Sequence, residues 1–227
     1  MKNILITGGA GFIGSALAKK LRSKNKIYII DLKKKIDSNK NKLKYCKYIE
    51  GDIADIKTFK KIKSKIYSVF HLAAKTSTSM GELYPSDCMK TNVQGTNNLI
   101  VWAKKNKPKN IIFTSSMAVY GEKADNVREK NICKPISAYG ISKYYGELAL
   151  NKLKLSSIKV VVLRLFNVYG PGQDYNNLKQ GMLSIYLSEI FRTGKVKVTG
   201  SLNRYRDFVY IDDVVRALTK SVSFNDK

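Results

Sequence analysis

The sequence predicts an α/β protein in which a parallel sheet carries helices on both faces. Short apolar segments alternate with helical segments from the start of the chain to about residue 165, a rhythm typical of repeated strand–helix units. The segment 159–165, KVVVLRL, is almost continuously apolar, as expected of a strand buried on both faces. We therefore expect a central sheet built mainly from parallel strands.

Six strands are predicted, and several of the segments between them favour helix. The strands are expected at 4–6, 27–31, 45–50, 69–72, 111–113 and 159–165. Helices are expected from the first glycine turn to about residue 22, over 86–105 and over 138–153. A short helix is expected after the third strand, through Ile62. Six strands at this spacing fit the two mononucleotide-binding halves of a doubly wound, Rossmann-like sheet.

The strand–helix rhythm loosens after about residue 166. The segment 167–181, NVYGPGQDYNNLKQG, is rich in Gly, Pro and Asn and is expected to form a loop. A helix at 181–192, a short strand at 196–199 and a strand–helix unit at 207–222 are expected after it. We predict a first domain over 1–165 and, over 166–227, the beginning of a second lobe.

Composition argues against several classes of protein. No apolar run reaches the roughly 18–20 residues that a membrane span needs, so we expect no membrane partner. Three widely spaced cysteines and a single histidine argue against a disulfide framework and a metal site, and they favour a reducing cytoplasm. The net charge is +25, but 35 of the 42 basic residues are scattered lysines. We interpret them as solvated helix faces rather than as a nucleic-acid surface, which would favour clustered arginine.

The segment 6–14, ITGGAGFIG, predicts a phosphate-binding turn between the first strand and the first helix. Residues 9–14 fit G-x-G-x-x-G, while Gly8, Gly11 and Gly14 fit G-x-x-G-x-x-G. In either spacing, glycines permit a tight turn, a close backbone approach to a pyrophosphate, and packing of helix on strand. The pyrophosphate would lie at the helix N-terminus.

An acidic residue follows at the distance that a dinucleotide site requires. Asp31 stands twenty residues after Gly11, at the end of the second predicted strand, where a carboxylate binds the ribose hydroxyls. A carboxylate repels a 2′-phosphate, so Asp31 favours NAD over NADP. The three lysines at 33–35 would weaken that repulsion, which leaves the choice between the two cofactors open.

The segment 137–148, SAYGISKYYGEL, places Tyr139 and Lys143 one turn apart on a helix face. A tyrosine acting as a base near pH 7 needs its pKa lowered by about 3 units, or roughly 4 kcal/mol. A neighbouring ammonium and a positively charged nicotinamide ring would both favour the phenolate. Taken alone, this spacing also fits a solvated helix face.

With these motifs together, the sequence resembles the NAD-dependent epimerase/dehydratase family of extended short-chain dehydrogenases/reductases, which act on nucleotide sugars. Among its members, the nucleotide-sugar 4-epimerases are the most similar in motif. The resemblance covers nearly the whole chain and is carried by TGGAGFIG, Asp31, GDI at 51–53, HLAA at 71–74, NVQGT at 92–96, SSMAVYG, YGISK, LRLFNVYGPG, and RDFVYIDDV at 206–214.

The resemblance implies a role for each matching position. The catalytic residues would be Ser116, which hydrogen-bonds the sugar, Tyr139 as the base, and Lys143 as its partner. NAD would be held by Gly8, Gly11, Phe12, Ile13, Gly14, Asp31, Asp52, Ile53, Leu72, Ala73, Ala74, Asn92, Tyr139, Lys143 and Phe166. The substrate, a UDP-sugar, would contact Ser116, Asn167, Asn177, Leu178 and Arg206.

Two of the matching positions have alternative explanations. His71 is expected to be a strand-end histidine bonded to backbone rather than a chemical group. Arg206 resembles the phosphate-binding arginine of the family, but a structural ion pair with Asp207 or Asp212 would also explain it. Thr114 and Ser115 are expected to complete the end of the fifth strand.

The residues after Ser116 bear on the reaction. The family's 4,6-dehydratases carry an Asp-Glu pair directly after the catalytic Ser/Thr, whereas this chain has Met117 and Ala118, which cannot move a proton. We therefore expect a 4-epimerase acting through a transient 4-keto sugar. A 4,6-dehydratase remains an alternative if Glu122, Asp125 or other carboxylates reach the site. A keto-sugar reductase and a cofactor-binding module without catalysis are two further alternatives.

The resemblance also implies an assembly and a longer substrate lobe. Family members often dimerise through the helices that correspond to 86–105 and 138–153, so a homodimer is expected, with Tyr144 or Tyr145 facing the interface rather than the site. Family members also continue beyond the IDDVVRAL helix to complete a nucleotide-sugar-binding lobe. We therefore expect residues 166–227 to be an incomplete version of that lobe.

Overall fold

The computed structural model describes residues 1–39, 43–76, 84–121, 126–155, 157–174, 181–198, 201–203 and 205–223. Its centre is a six-stranded sheet. The strands are β1 (Lys2–Thr7), β2 (Asn25–Asp31), β3 (Lys47–Glu50), β4 (Ser68–His71), β5 (Asn110–Ser116) and β6 (Lys159–Leu165), in the order β3-β2-β1-β4-β5-β6. Every neighbouring pair is parallel. This is the doubly wound order that the sequence predicts.

The helices connect these strands and extend into the second half. They are α1 (Phe12–Leu21), α2 (Lys33–Ser38), α3 (Ile56–Lys60), α4 (Pro85–Met89), α5 (Gly95–Asn106), α6 (Ala138–Asn151), α7 (Met182–Thr193) and α8 (Ile211–Ser221). A π-helical turn, Lys90–Gln94, joins α4 to α5, so the helix predicted over 86–105 is one helical run with a widened turn. Short 3₁₀ turns follow β5 (Met117–Tyr120) and α6 (Lys152–Leu155).

Two apolar layers cover the sheet because successive strand residues point to opposite faces. Leu5 packs in the layer that contains Phe59 of α3 and Leu99 of α5, together with part of α6. Its neighbour Ile6 packs in the other layer, against α1 and α8. Helix α8 comes from the second half of the chain. Residues from both predicted parts of the chain, 1–165 and 166–227, therefore share a core.

The second half of the chain contains a strand within the segment that was predicted to form a loop. Residues Asn167–Tyr169 form β7, which pairs in parallel with β8 (Phe208–Tyr210). The expected strand at 196–199 is wrong over 196–198, which have no regular structure, and residue 199 lies outside the described residues. Within the described residues, no helix is long and apolar enough to cross a membrane.

Candidate active site

A large cleft opens at the carboxyl ends of the strands. Its volume is about 2820 Å³, well above the roughly 300–1,000 Å³ of a typical site for one small molecule. The carboxyl edge of an open parallel sheet is where ligands of such folds bind. Among the predicted site residues that the structure describes, all except Asn92 line this cleft. Asn177 and Leu178, predicted to bind uridine diphosphate, lie outside the described residues.

The glycine turn between β1 and α1 is packed too closely for larger residues. Gly8 has a φ of +73°, and a Cβ there would lie 2.6 Å from the Ala73 backbone nitrogen. A Cβ on Gly14 would collide with the Gly8 carbonyl oxygen and lie 2.6 Å from Gly9 Cα. Helix α1 begins with no side-chain cap, so the N–H groups of its first turn are available to an anion in the cleft.

Asp31 sits at the end of β2 beside this turn. Its Oδ2 accepts a hydrogen bond from Ala10 N at 2.9 Å, and its Oδ1 accepts one from Leu32 N at 2.9 Å. Burial raises the pKa of the carboxyl, and these two backbone hydrogen bonds act against that rise. Each oxygen keeps a second lone pair, so the carboxylate still has acceptor capacity for hydroxyl groups in the cleft.

The walls of the cleft beyond Asp31 are formed by short side chains and backbone. Asp52 is fixed by a hydrogen bond from Ala54 N to its Oδ1 at 2.8 Å. Ile53 packs directly on Gly95, the first residue of α5. Ala73 donates its N–H to Thr7 Oγ1 at 3.2 Å. The backbone at Ala73 also packs directly against Gly8 of the glycine turn.

Strand β5 carries three hydroxyl residues to the centre of the cleft. Thr114 and Ser115 were predicted to complete the end of this strand, and they are buried within it; the strand runs one residue further, through Ser116. Ser116 hydrogen-bonds the Tyr139 hydroxyl and accepts Ala118 N at 3.2 Å. Ser115 Oγ is buried and, within the described residues, has no hydrogen-bond partner.

Tyr139 and Lys143 face this strand from α6. The α6 N-terminus is capped by Ser137, whose hydroxyl accepts Gly140 N at 3.1 Å. Lys143 is 3% exposed and donates from Nζ to Thr114 O at 2.8 Å. Its ammonium lies 4.9 Å from the centre of the Phe113 ring and 6.0 Å from that of Tyr139. Ser116, Tyr139 and Lys143 therefore form one group.

The acid–base properties of this group differ from the expectation. Burial raises the pKa of Tyr139 to about 12, although the hydrogen bond to Ser116 opposes the rise. Burial also lowers the pKa of Lys143 to about 8. In the chain alone, burial therefore outweighs any effect of the Lys143 ammonium on the pKa of Tyr139. Additional positive charge beside Tyr139 is needed to make it a base near neutral pH.

Asn92 lies behind the cleft wall rather than in it. Its side-chain Oδ1 accepts Lys75 N at 2.8 Å, and its Nδ2 donates to Lys75 O at 3.0 Å and to Ser142 Oγ at 2.9 Å. Ser142 in turn donates to Tyr139 O at 2.7 Å. The Asn92 side chain thus bridges the wall at Lys75 and α6, and its contact with the cofactor stays a prediction. The motif letters alone could not show this bridge, because it joins residues 50 positions apart.

His71 is buried, but its partners are side chains and not backbone. Thr96 Oγ1 donates to Asn92 O at 2.7 Å, so it accepts a hydrogen bond from His71 Nε2 at 3.0 Å. His71 Nδ1 then accepts the hydroxyl of Thr7 at 2.7 Å, and that hydroxyl accepts Ala73 N. The ring is neutral, and it links the cleft wall to α5.

The free energy of unfolding should fall in mild acid because of His71. Burial, together with the charge of Lys143, lowers its pKa from 6.5 to about 3. Below pH 6.5 the unfolded chain binds a proton that the folded chain cannot, so folding is penalised by about 1.4 kcal/mol per pH unit. We expect a loss of about 2 kcal/mol between pH 6.5 and 5, measured by urea unfolding. His71→Asn should have a flatter profile, and equal slopes would contradict the assignment.

Asn167 and Arg206, two of the residues predicted to contact substrate, line the part of the cleft that residues 166–227 form. Asn167 donates from Nδ2 to Asp207 O at 2.9 Å and lies 3.8 Å from Met117 Sδ. Phe166 lines the cleft beside it. Arg206 lines the cleft, donates from Nη1 to Tyr205 O at 2.9 Å, and within the described part of the chain forms no ion pair with Asp207 or Asp212. Its guanidinium therefore retains donors for an anion.

Comparison with known proteins identifies the family. Residues 4–227 match the family described as NAD dependent epimerase/dehydratase family. The chain belongs to this family. The UDP-glucose 4-epimerase of Thermotoga maritima, solved with UDP-glucose, is 36% identical, with a TM-score of 0.88 over 96% of this chain and 72% of that one. The UDP-glucose 4-epimerase of Thermus thermophilus, solved with NAD, is 27% identical, with a TM-score of 0.85 over 99% and 75% of the two chains.

The epimerase/dehydratase family is not limited to epimerases. A dTDP-D-glucose 4,6-dehydratase of Dictyostelium discoideum is 32% identical over 243 residues, covering 96% of this chain and 54% of that protein. Membership in the family therefore establishes NAD dependence and the fold. The choice between epimerisation and dehydration depends on the site.

The cleft fits the NAD that this family uses. The glycine turn has no room for a Cβ at Gly8 or Gly14, so only glycines let its backbone pack this tightly and approach a diphosphate closely. The uncapped start of α1 offers its N–H groups to the same diphosphate. Asp31 offers acceptors to ribose hydroxyls. Ser115 Oγ, buried at the cleft with no partner in the described residues, is a further group that a bound molecule would satisfy.

Proposed function

We propose that the chain is an NAD-dependent nucleotide-sugar epimerase, and specifically a UDP-hexose 4-epimerase that acts through a transient 4-keto sugar. The observation that carries this proposal is the group formed by Ser116, Tyr139 and Lys143, with Met117 and Ala118 lining the cleft directly after Ser116. The group can move one proton at a sugar hydroxyl. The two residues that follow contribute no second acid or base.

The proposed chemistry assigns one task to each residue. Bound NAD supplies a reversible acceptor for the hydride of carbon 4. Tyr139 takes the proton of the 4-hydroxyl and returns it to the same oxygen when the ketone is reduced. Ser116, already hydrogen-bonded to Tyr139, donates to the 4-oxygen and keeps the phenol aligned. Lys143, held by Thr114 O at 2.8 Å, hydrogen-bonds the nicotinamide ribose and adds positive charge beside the phenol.

The remaining roles follow the two halves of the cleft. Residues 1–165 would hold NAD through the glycine turn, Asp31, Asp52, Ile53 and the Leu72–Ala74 wall. Residues 166–227 would begin the nucleotide-sugar lobe, with Asn167 and Arg206 at the diphosphate and Asn177 and Leu178 at the uridine. The exposed donors of Arg206 support this part of the proposal.

A 4,6-dehydratase is the second candidate, because the Dictyostelium relative has that activity in its name. Removal of a proton from carbon 5 requires a carboxylate or another base near the sugar. Asp87, Asp174 and Asp207 line the described part of the cleft. Asp87, however, is paired with Lys75 at 2.7 Å. Glu122 and Asp125 lie outside the described residues.

A panel of sugar nucleotides distinguishes these functions. The purified protein is incubated with UDP-, GDP- and dTDP-hexoses without added cofactor, and the products are identified by NMR. We expect the protein to interconvert UDP-glucose and UDP-galactose, or their N-acetylated forms, with the NAD that co-purifies with it. A 4-keto-6-deoxy product would show a dehydratase, and turnover that requires added NADPH would show a keto-sugar reductase.

We also propose a homodimer formed through α5 and α6. Ile141, Tyr145 and Leu148 lie at i, i+4 and i+7 on α6 and are 41–48% exposed, and Val101 on α5 is 60% exposed. Asn97 of α5 and Tyr145 hydrogen-bond across these helices at 3.4 Å. Together they present an apolar strip across two neighbouring helices, which a second copy would cover.

Leu148→Glu should convert the dimer to a monomer, because a carboxylate at the centre of the strip would be buried against a second copy. Size-exclusion chromatography with light scattering measures the mass. Ile132→Glu, which changes a residue 79% exposed outside the strip, is the control and should leave the dimer intact. A monomeric wild type, or a dimeric Leu148→Glu, would contradict the assembly.

The cytoplasm is the proposed location. Cys46, Cys88 and Cys133 are all free, and free thiols are typical of a reducing compartment. Cys46 and Cys88 are buried in the fold, where a disulfide partner cannot reach them without rearrangement.

A further inference from the structure

A well-covered ion pair between β6 and α6 connects the catalytic helix to the strand beside Ser115. Arg164 on β6 donates from Nε to both carboxylate oxygens of Glu147 on α6, at 3.0 and 3.3 Å. Its Nη2 donates to Glu147 Oε2 at 2.7 Å. Both side chains are well covered, at 19% and 6% exposure. A forked guanidinium–carboxylate pair of this kind fixes direction as well as distance.

The same guanidinium also holds the segment that follows Ser116. Its Nη1 donates to the Tyr120 hydroxyl at 3.0 Å and to Glu129 O at 3.2 Å. The guanidinium carbon lies 4.9 Å from the centre of the Tyr120 ring. Tyr120 ends the 3₁₀ turn that begins at Met117. One side chain therefore connects α6, the turn after Ser116 and the loop at Glu129.

The placement of these contacts relates them to the catalytic group. Glu147 follows Tyr139 and Lys143 at successive four-residue steps, so the three lie along one face of α6. Arg164 is paired in the sheet with Ser115, the neighbour of Ser116. None of Arg164, Glu147 and Tyr120 is among the residues that line the cleft in the described chain. They can influence chemistry only through the residues they hold.

The α6 N-terminus packs tightly against the same turn. A Cβ on Gly140 would lie 2.5 Å from Ala118 O, and Ala118 N donates to Ser116 Oγ. A small shift of α6 relative to the turn would therefore change the contact between Ser116 and Tyr139. The ion pair lies two helical turns along α6 from that contact, where it restricts this shift.

We propose that Arg164, with Glu147 and Tyr120, positions the catalytic group by holding α6 against the Ser116–Tyr120 segment. Glu147 also acts on Lys143 through charge, because its carboxylate opposes the fall in the pKa of Lys143 that burial causes. The proposal rests on the function proposed above, since it assigns a positioning role in that reaction. Arg164 and Glu147 are positioning residues and do not touch substrate.

Three variants separate geometry from charge. Arg164→Lys keeps the positive charge but loses the fork and the bond to Tyr120. Tyr120→Phe removes one hydroxyl and leaves the ion pair. Glu147→Gln removes the charge beside Lys143. The matched control is Arg216→Lys, which changes the exposed Arg216–Asp213 pair on α8, where an ion pair contributes little.

The first readout is the interconversion of UDP-glucose and UDP-galactose by the full-length protein with its bound NAD. Arg164→Lys should lower kcat by about 10–100-fold, as small misplacements of reacting groups do, with little change in KM. Tyr120→Phe should lower kcat by a smaller factor, and Arg216→Lys should match the wild type. Wild-type kcat in Arg164→Lys would overturn the proposal. If Arg164→Lys does not fold, Tyr120→Phe provides the test, and a wild-type kcat in that variant would overturn the proposal.

The second readout does not depend on the reaction. With ¹³C-labelled lysine, Lys143 is followed by NMR as a resonance that titrates near pH 8, assigned through its loss in Lys143→Met. Glu147→Gln should move this titration to lower pH, while Arg164→Lys should leave it in place. If the wild type shows no epimerisation, the function proposed above fails, and this titration still tests the part of the proposal in which Glu147 acts on Lys143. An unchanged Lys143 titration in Glu147→Gln would then overturn the proposal.

Discussion

Tyr139→Phe is expected to lower kcat by about 10²–10⁴-fold, the usual contribution of a general acid–base group, while the protein keeps its NAD. The hydroxyl that this change removes bonds Ser116 in a buried site. The rest of the ring stays to pack beside Lys143. The kinetic loss should therefore not be accompanied by a loss of cofactor, which is measured by absorbance and by release on denaturation.

Tyr145→Phe is the matched control for this variant. Tyr145 lies on the same helix but is 41% exposed, and its hydroxyl contacts Asn97 rather than the catalytic group. Removing it should leave kcat at the wild-type value. Full activity in Tyr139→Phe would contradict the assignment of the base, and a comparable loss in Tyr145→Phe would show that the effect is not specific.

Gly14→Ala is expected to yield protein without bound NAD and with reduced thermal stability. The added Cβ would collide with the Gly8 carbonyl oxygen and lie 2.6 Å from Gly9 Cα. These are backbone atoms and cannot rotate away. Overpacking of this kind costs roughly 1–3 kcal/mol or more. Relief requires α1 to move from the turn, which displaces the N–H groups that would face the diphosphate.

Gly194→Ala controls for the general cost of replacing a glycine. Gly194 has a φ of +68°, and a Cβ there would have no atom within 4 Å. It should lose stability by about 1 kcal/mol and retain NAD. Cofactor content is measured after purification, and the melting temperature by circular dichroism. Normal NAD content in Gly14→Ala would contradict the placement of the diphosphate.

The sheet was predictable from sequence because its strands are strongly patterned. Segment 159–165 was placed at the bounds that the structure shows for β6. Thr114 and Ser115 were predicted to complete β5 after its apolar residues, although they are polar, and only Ser116 was left out of the strand. All three extend the strand because β6 pairs with them through Leu165. A pattern of hydrophobicity cannot show pairing of this kind.

The site was predictable where a motif fixes the backbone geometry, and less predictable where contacts between distant residues determine the partners of a side chain. The glycine turn and Asp31 meet at the cleft as their spacing indicates. The side-chain partners of His71 were not foreseen because Thr7 is 64 residues away, and the bond from Asn92 to Ser142 spans 50 residues. Arg164 was overlooked, although a charged residue inside the apolar run KVVVLRL is a signal that something must pair with it.

The central claim is that one hydride leaves carbon 4 of the sugar and is returned to the opposite face of the same carbon. The most direct test is incubation of UDP-glucose carrying deuterium at carbon 4 in ordinary water, followed by NMR and mass spectrometry of the products. We expect UDP-galactose that retains its deuterium at carbon 4. A 4-keto-6-deoxy sugar with deuterium at carbon 6, or UDP-galactose that has lost its deuterium, would contradict the account.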